Sequence, residues 1–501
     1  MIFIMNDFNK YLNETGETGF VEEMTQSIAQ VSGLPGAKLS ELVVFEEGEM
    51  GQVMGLGQDR VEVLVLVRSG VKVGARVVRT GGPLRIAVGE AMLGKIVDGL
   101  GRGAEGEETR MVDVTPSGIS ARKKISRPLE TGIALVDLLV PLGRGQRELV
   151  MGDRKIGKTN FVLQAILAQS RLGTVCVYAA IGKKNTEIMQ AESFFNKTGA
   201  IKNLVIVASS SHDTVGEIWL TPYTAMTVAE YFRDQGRDVL LVLDDMTAHA
   251  KFYRELSLTA RRFPGRESYP GDIFYVHSKL LERAGCFLVP NTSPSVATGP
   301  SPVTGEGNAR GEVSQVGEAA ITCLPVVDTV QGDMTGYIQT NLMSMTDGHI
   351  FFDSDLYFAG RRPAINPFVS VTRVGYQTQS HIRRALGREI VKRLNDYEKT
   401  QSFVRFGAEL GDAARQVLTI GEHFLKLFNQ PMQVTMAQDV QTVAAAMVLA
   451  GLWDGSEAEV LQERYDKDEV LRREMKEAVD KAATTEQLIA AGREKQWLTK
   501  S

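Results

Sequence analysis

Eight consecutive residues carry the densest chemical signal in the chain: Gly152, Asp153, Arg154, Lys155, Ile156, Gly157, Lys158 and Thr159. They run as glycine, four residues, glycine, lysine, threonine. Glycines at that spacing let backbone N–H groups converge on phosphate oxygens at the positive end of a helix. Lys158 then places a point charge on the β- and γ-phosphates. Thr159 offers a hydroxyl to Mg²⁺, whose other ligands are mostly water and phosphate oxygen. Such a loop needs a strand before it and a helix after it. Leu149-Val150-Met151 supplies the strand, and Asn160 to Gln169, with Phe161, Val162, Ala165, Ile166 and Leu167, supplies the helix. Further along, the apolar run Val239 to Leu243 ends in Asp244-Asp245. A buried strand ending in a carboxylate delivers that acid to a metal at the strand's carboxyl edge. Asp244 takes the metal side, while Asp245 reads equally well as the N-cap of the next helix.

The surrounding chain must position these groups. Its 501 residues suggest about three domains. With 43% hydrophobic and 23% charged residues it can bury sizeable cores, which excludes wholesale disorder. From about Lys38 to Val88, short β-branched runs alternate with glycine turns, the pattern of a small antiparallel barrel. This predicts a polar N-terminal arm over 1–27 and a barrel domain over 28–93. From 94 to 376, apolar strand-like runs alternate with helical stretches and predict an α/β layer with a mainly parallel sheet. The Pro/Ser/Gly-rich segment Pro290 to Gly317 interrupts it as a long surface loop. From 377 to 501 helical spacing takes over, with Ile382, Leu386, Ile390 and Leu394 on one face. The highly charged stretch from Ser456 onward reads as solvated helix.

Several function classes fall away. A net charge of −5, from 56 basic and 61 acidic residues, gives no global pull toward nucleic acid or an anionic membrane surface. Three unpaired cysteines, Cys176, Cys286 and Cys323, fit a reducing cytosol better than a disulfide framework. Six scattered histidines predict no structural zinc. The apolar run Met1 to Met5 is too short for a signal-peptide core, and no stretch approaches the roughly 18 apolar residues of a spanning helix. Any membrane role is expected to run through partners.

Gly143-Arg144-Gly145-Gln146-Arg147-Glu148-Leu149 leads into Gly152-Asp153-Arg154, and Asp244-Asp245 is followed by the run Arg261 to Asp272. With Leu280-Leu281-Glu282-Arg283, Thr346-Asp347-Gly348, Arg362-Pro363-Ala364-Ile365-Asn366 and Ser370-Val371-Thr372-Arg373-Val374-Gly375, these stretches resemble the α-subunit family of F-type ATP synthases. The resemblance runs from about residue 28 to 455. It implies a multidomain chain: an N-terminal β-barrel, a central RecA-like P-loop NTPase domain and a C-terminal α-helical domain. It further implies ATP or ADP with Mg²⁺ at a non-catalytic site, in a hexamer that alternates with a catalytic β subunit around a γ shaft. Stator δ and b subunits would complete a peripheral assembly on the cytoplasmic face of the cell membrane. The work of that assembly is ATP synthesis or hydrolysis coupled to proton or sodium transport.

The resemblance also assigns individual roles. Catalytic β subunits carry a glutamate just after the strand that follows the P-loop helix, and α subunits carry glutamine; here the position is Lys183. A lysine cannot orient water as an anionic base, and Glu187, four residues on, reads as solvated. Arg373 is implied to reach into the neighbouring β subunit's catalytic site as an arginine finger. Arg362 and Pro363 become flat surfaces for adenine, with Gln430 as a polar partner. Met432 replaces the family's second glutamine, and Lys155-Ile156 stand where Gln-Thr is usual. Two other ATP-driven classes share this core. A self-sufficient hexameric ATPase of the protein-export type would need its own glutamate, against Lys183. A nucleic-acid translocase would need a basic, aromatic N-terminal surface, yet Phe45 is the only aromatic between 38 and 88.

Overall fold

The computed structural model describes residues 8–67, 70–103, 105–290, 316–405, 411–495 and 497. Near the N-terminus six antiparallel strands close into a barrel: Thr18–Thr25, Ile28–Ser32, Glu41–Phe45, Met50–Leu56, Val61–Val65 and Arg76–Pro83. Closure removes the free edges that an open sheet would leave unpaired. Val21, Val31, Val43, Phe45, Val53, Val63 and Val77 fill the interior, with polar residues alternating outward. The first strand lies inside the segment predicted as an arm. Its outward half, including Glu22 and Glu23, is polar, and that masked a strand whose inner face buries Val21. Ahead of it, helix Phe8–Thr15 lays Phe8 against Val44 and Val78 on the barrel wall.

The central sheet runs in the order Val371–Thr372, Gly348–Phe352, Glu148–Gly152, Val316–Asp328, Val239–Asp244, Val175–Lys183, Leu204–Ser210 and Ile96–Val97. Its strands are parallel except for the edge strand Val371–Thr372 and the side strand Gly285–Pro290, which pairs antiparallel with Val316–Asp328. Residues of one strand alternate between two cores. Val150, Cys176 and Tyr178 pack with Phe161 and Ile166 of helix Lys158–Arg171, while Met151, Val175 and Val177 pack with Ile218 of helix Val215–Asp234 and Met246. Both faces are covered, so the strands read as unbroken apolar runs. Of the loop predicted over 290–317, residues 291–315 lie outside the described residues. The strands that flank it pair with each other, Pro290 opposite Val316.

The C-terminal helices begin with His381–Arg405, Asp412–Phe428 and Gln438–Leu449. Ile382, Leu386, Ile390 and Leu394 are all buried in the core that also holds the P-loop helix. Arg383 joins the two domains. Its buried guanidinium donates to the carbonyls of Asp137 (3.0 Å) and Gln438 (2.8 Å), to Thr442 Oγ1 (2.6 Å) and to Gln441 Oε1 (3.1 Å). The charged tail forms helices Ala458–Lys467, Glu469–Lys481 and Thr485–Lys495. These are solvated on one side only: Leu461, Tyr465, Leu471, Met475, Leu488 and Trp497 are buried. Among the described residues no helix is long and apolar enough to cross a membrane.

Candidate functional site: a phosphate loop and its acid cluster

Strand Glu148–Gly152 delivers the glycine-rich loop to the carboxyl edge of the sheet, and helix Lys158–Arg171 leaves it. The residue before that helix, Gly157, has φ +100° and no side chain to cap the first-turn amides. Among the described residues no side chain caps those N–H groups, and a helix end left open in this way is how a helix binds an anion. Lys155 is also left-handed, at φ +64°, and exposed, whereas Ile156 is buried in the core. Lys158 is buried and donates to the carbonyls of Gly152 (2.6 Å) and Asp153, with an ion pair to Asp328 Oδ1 at 3.1 Å. Burial lowers its basicity against the opposing pull of Asp328. Exposed Arg154 holds the other oxygen of Asp328 at 2.7 Å.

Asp153 pins the loop to its surroundings. It accepts from Thr329 Oγ1 (2.6 Å), Gly332 N (2.9 Å) and Ser354 Oγ (2.9 Å). Partial burial works against its charge, but these hydrogen bonds outweigh it and hold the carboxyl below its usual range.

Beside the loop, Asp244 is almost fully buried. One of its oxygens accepts from Thr159 Oγ1 (3.1 Å) and Tyr178 Oη (3.0 Å), and the other from Lys183 Nζ (2.7 Å). Asp245 caps helix Met246–Thr259 through the N–H of Ala248, and lies 3.7 Å from the same ammonium. Burial pushes its carboxyl up to about 6, against the pull of Lys183. Burial also works against the charge of Lys183, yet Asp244 and Asp245 more than compensate and hold its pKa above the usual value. Glu187 is exposed and makes no hydrogen bond to this cluster among the described residues. Thr159 and Asp244 stand together as a hydroxyl and a carboxylate at one loop, a donor set that fits hydrated Mg²⁺: Thr159 by its hydroxyl, Asp244 through water.

Arg362 and Pro363 line a pocket with Leu135, Tyr397, Phe428 and Asn429. The Arg362 guanidinium lies over the Tyr357 ring at 3.8 Å, and its backbone N–H donates to Asn429 Oδ1 at 3.0 Å. Gln430 does not join them by its side chain. Its buried amide accepts from Ala134 N (3.1 Å) and donates to the carbonyls of Gly132 (2.7 Å) and Val434 (2.6 Å). Its backbone links it to the pocket, through Gln430 N–H to the Arg362 carbonyl at 2.7 Å.

Arg373 follows the edge strand, where Thr372 pairs with Gly348 and Gly348 with Glu148. It thus sits beside the start of the strand whose far end is Gly152, about 13 Å away at 3.3 Å per residue. Its neighbours are tied down. Ser370 Oγ accepts from Phe351 N (2.9 Å), and Thr372 Oγ1 donates to the Pro141 carbonyl (2.8 Å). Gly375 passes so close that a Cβ there would lie 1.6 Å from the Pro141 oxygen. Arg373 itself is exposed, and its guanidinium makes no hydrogen bond or ion pair among the described residues.

Comparison with known proteins gives the family. The nucleotide-binding-domain model of the ATP synthase alpha/beta family matches residues 132–372, and the C-terminal-domain model of the ATP synthase alpha/beta chain matches 379–496. "ATP synthase subunit alpha" of Clostridium acetobutylicum is 36% identical over 436 residues, 85% of this chain and 81% of that protein. The chain belongs to the ATP synthase α-subunit family.

Within that family fold, two residues of the cluster escape a reading of motifs. Asp328 ends the run Leu324-Pro325-Val326-Val327 as Asp244 ends its own, and that apolar-then-acid pattern was the available signal. The proline obscured it. Tyr178, in mid-strand, offers no sequence signal beyond its register opposite Val242, two residues before Asp244.

Proposed function

We propose that this chain is the non-catalytic nucleotide-binding subunit of an F-type ATP synthase. It binds ATP or ADP at the 152–159 loop and lends Arg373 to the catalytic site of an adjacent β subunit. The observation that carries the first half is Lys183. A catalytic site needs an anion to polarise the attacking water, and here an ammonium occupies that place, bound to Asp244 at 2.7 Å. Amides at the helix end and Lys158 take the phosphates. Arg362 and Pro363 flank the base, with Gln430 holding the backbone at 132–134 next to Leu135 of the same pocket. Mg²⁺, held by Thr159 and through water by Asp244, supplies countercharge to the phosphate oxygens when bound.

The second half rests on direction. Arg373 lies at the wrong end of its own P-loop strand to serve its own phosphates, and among the described residues its guanidinium makes no hydrogen bond or ion pair while Ser370 and Thr372 beside it are tied down. A rigidly carried free cation suits transition-state stabilisation across an interface. The assembly is an α–β hexamer around a γ subunit, held by δ and b stator subunits on the cytoplasmic face of the cell membrane. Its turnover is coupled to proton or sodium transport.

A direct test uses the purified chain alone. It should bind ATP at one site per chain, lose that site with Lys158→Ala, and release phosphate no faster than a buffer control. Enzyme-like turnover that Lys158→Ala abolishes would refute the non-catalytic reading.

A further inference from the structure

Around the loop three carboxylates, Asp244, Asp245 and Asp328, each have a cation from the chain itself. Lys158 and Arg154 serve Asp328, at 3.1 and 2.7 Å. Lys183 serves the other two, at 2.7 and 3.7 Å, and its side chain is only 16% exposed. The Asp244 oxygen not taken by Lys183 faces the Thr159 hydroxyl. Ammonium and metal-facing hydroxyl therefore share one carboxylate.

Phosphate groups approaching an unpaired Asp244–Asp245 pair would meet like charge at short range, where a low effective dielectric makes the repulsion large. A divalent cation is the usual remedy. In this chain the remedy is covalent, because the ammonium is part of the strand and arrives with the fold. We propose that Lys183 is a built-in countercharge that lets this site take a free nucleoside triphosphate nearly as well as its Mg²⁺ complex. The inference rests on the nucleotide-site reading above and deepens it. Mg²⁺ still fits at Thr159, but the affinity of the site no longer depends on it.

The full-length chain is titrated with ATP by calorimetry, once with excess Mg²⁺ and once with excess EDTA. The two dissociation constants of the unmodified chain should agree within about threefold. Lys183→Gln should bind the Mg²⁺ complex but weaken at least about tenfold in EDTA. Stripping a buried carboxylate of its partner can unfold a protein, so Lys183→Gln combined with Asp244→Asn is measured beside it. That pair removes the ammonium together with the carboxylate it binds most closely, leaving Asp245 as the single unpaired acid beside the loop, and should bring the ratio back toward that of the unmodified chain. A tenfold or greater loss in EDTA for the unmodified chain overturns the inference, as does a Lys183→Gln ratio no larger than the original or a double variant that fails to restore it. If the unmodified chain binds ATP under neither condition, the nucleotide-site reading itself is wrong.

Discussion

Lys158 shows how a side chain named by a motif acquires its setting from elsewhere. Its spacing from Gly152 and Gly157 was legible because those residues are contiguous. Its ion-pair partner Asp328 comes from a strand 170 positions later in the chain. Lys183 was legible as the wrong residue for a base. That its ammonium would settle on Asp244 was not, because the contact depends on the parallel register that sets Ala180 opposite Asp244. Gln430 illustrates the reverse: a role implied by likeness, where the side chain turns instead to the backbone at 132–134. One titrating residue gives a measurable consequence. Burial, reinforced by Asp98 and opposed by Arg102, pushes the Glu217 carboxyl from 4.5 up to about 7. The folded state thus holds a proton between those values that the unfolded state releases. Stability from this group is fully present below about pH 4.5 and is lost as pH rises through about 7. Urea unfolding across that window should fall less steeply for Glu217→Gln than for the unmodified chain; parallel curves would contradict the assignment.

At the scale of elements, the parallel strands were legible as apolar runs and the helix His381–Arg405 as a face of four buried aliphatics. The first barrel strand was not, since only one side of it is apolar. The edge strand Val371–Thr372, directly before Arg373, is too short to carry any periodicity. Its local motif now has a physical account. Ser370 and Thr372 supply hydroxyls that tie the strand to Phe351 N and the Pro141 carbonyl, and Gly375 permits contact with Pro141 where no Cβ fits. Gly375→Ala must displace backbone, and overpacking of this kind costs about 1–3 kcal/mol or more. A lowered urea midpoint is expected, together with reduced stimulation of the catalytic partner. An unchanged midpoint would mean the segment 370–375 is not held as described.

For the whole molecule, the domain order follows from composition, but the way the domains lock does not. Arg383 reaches carbonyls on both sides of the junction, and no pattern in the sequence announces that a basic residue on an amphipathic helix will be buried. The mild net charge of −5 carries no functional information. The molecule presents a glycine-rich loop beside which Lys183 is bound to Asp244 and, at the opposite end of the loop's own strand, an exposed Arg373 whose guanidinium makes no hydrogen bond or ion pair among the described residues. On the proposed function each half is incomplete alone. The decisive measurement is ATP hydrolysis by the proposed hexamer, reconstituted from this chain and a catalytic β subunit, with and without Arg373→Ala. Loss of roughly 10³-fold or more in turnover, with assembly and β-site nucleotide binding retained, is the predicted result. Turnover that survives Arg373→Ala would contradict the account.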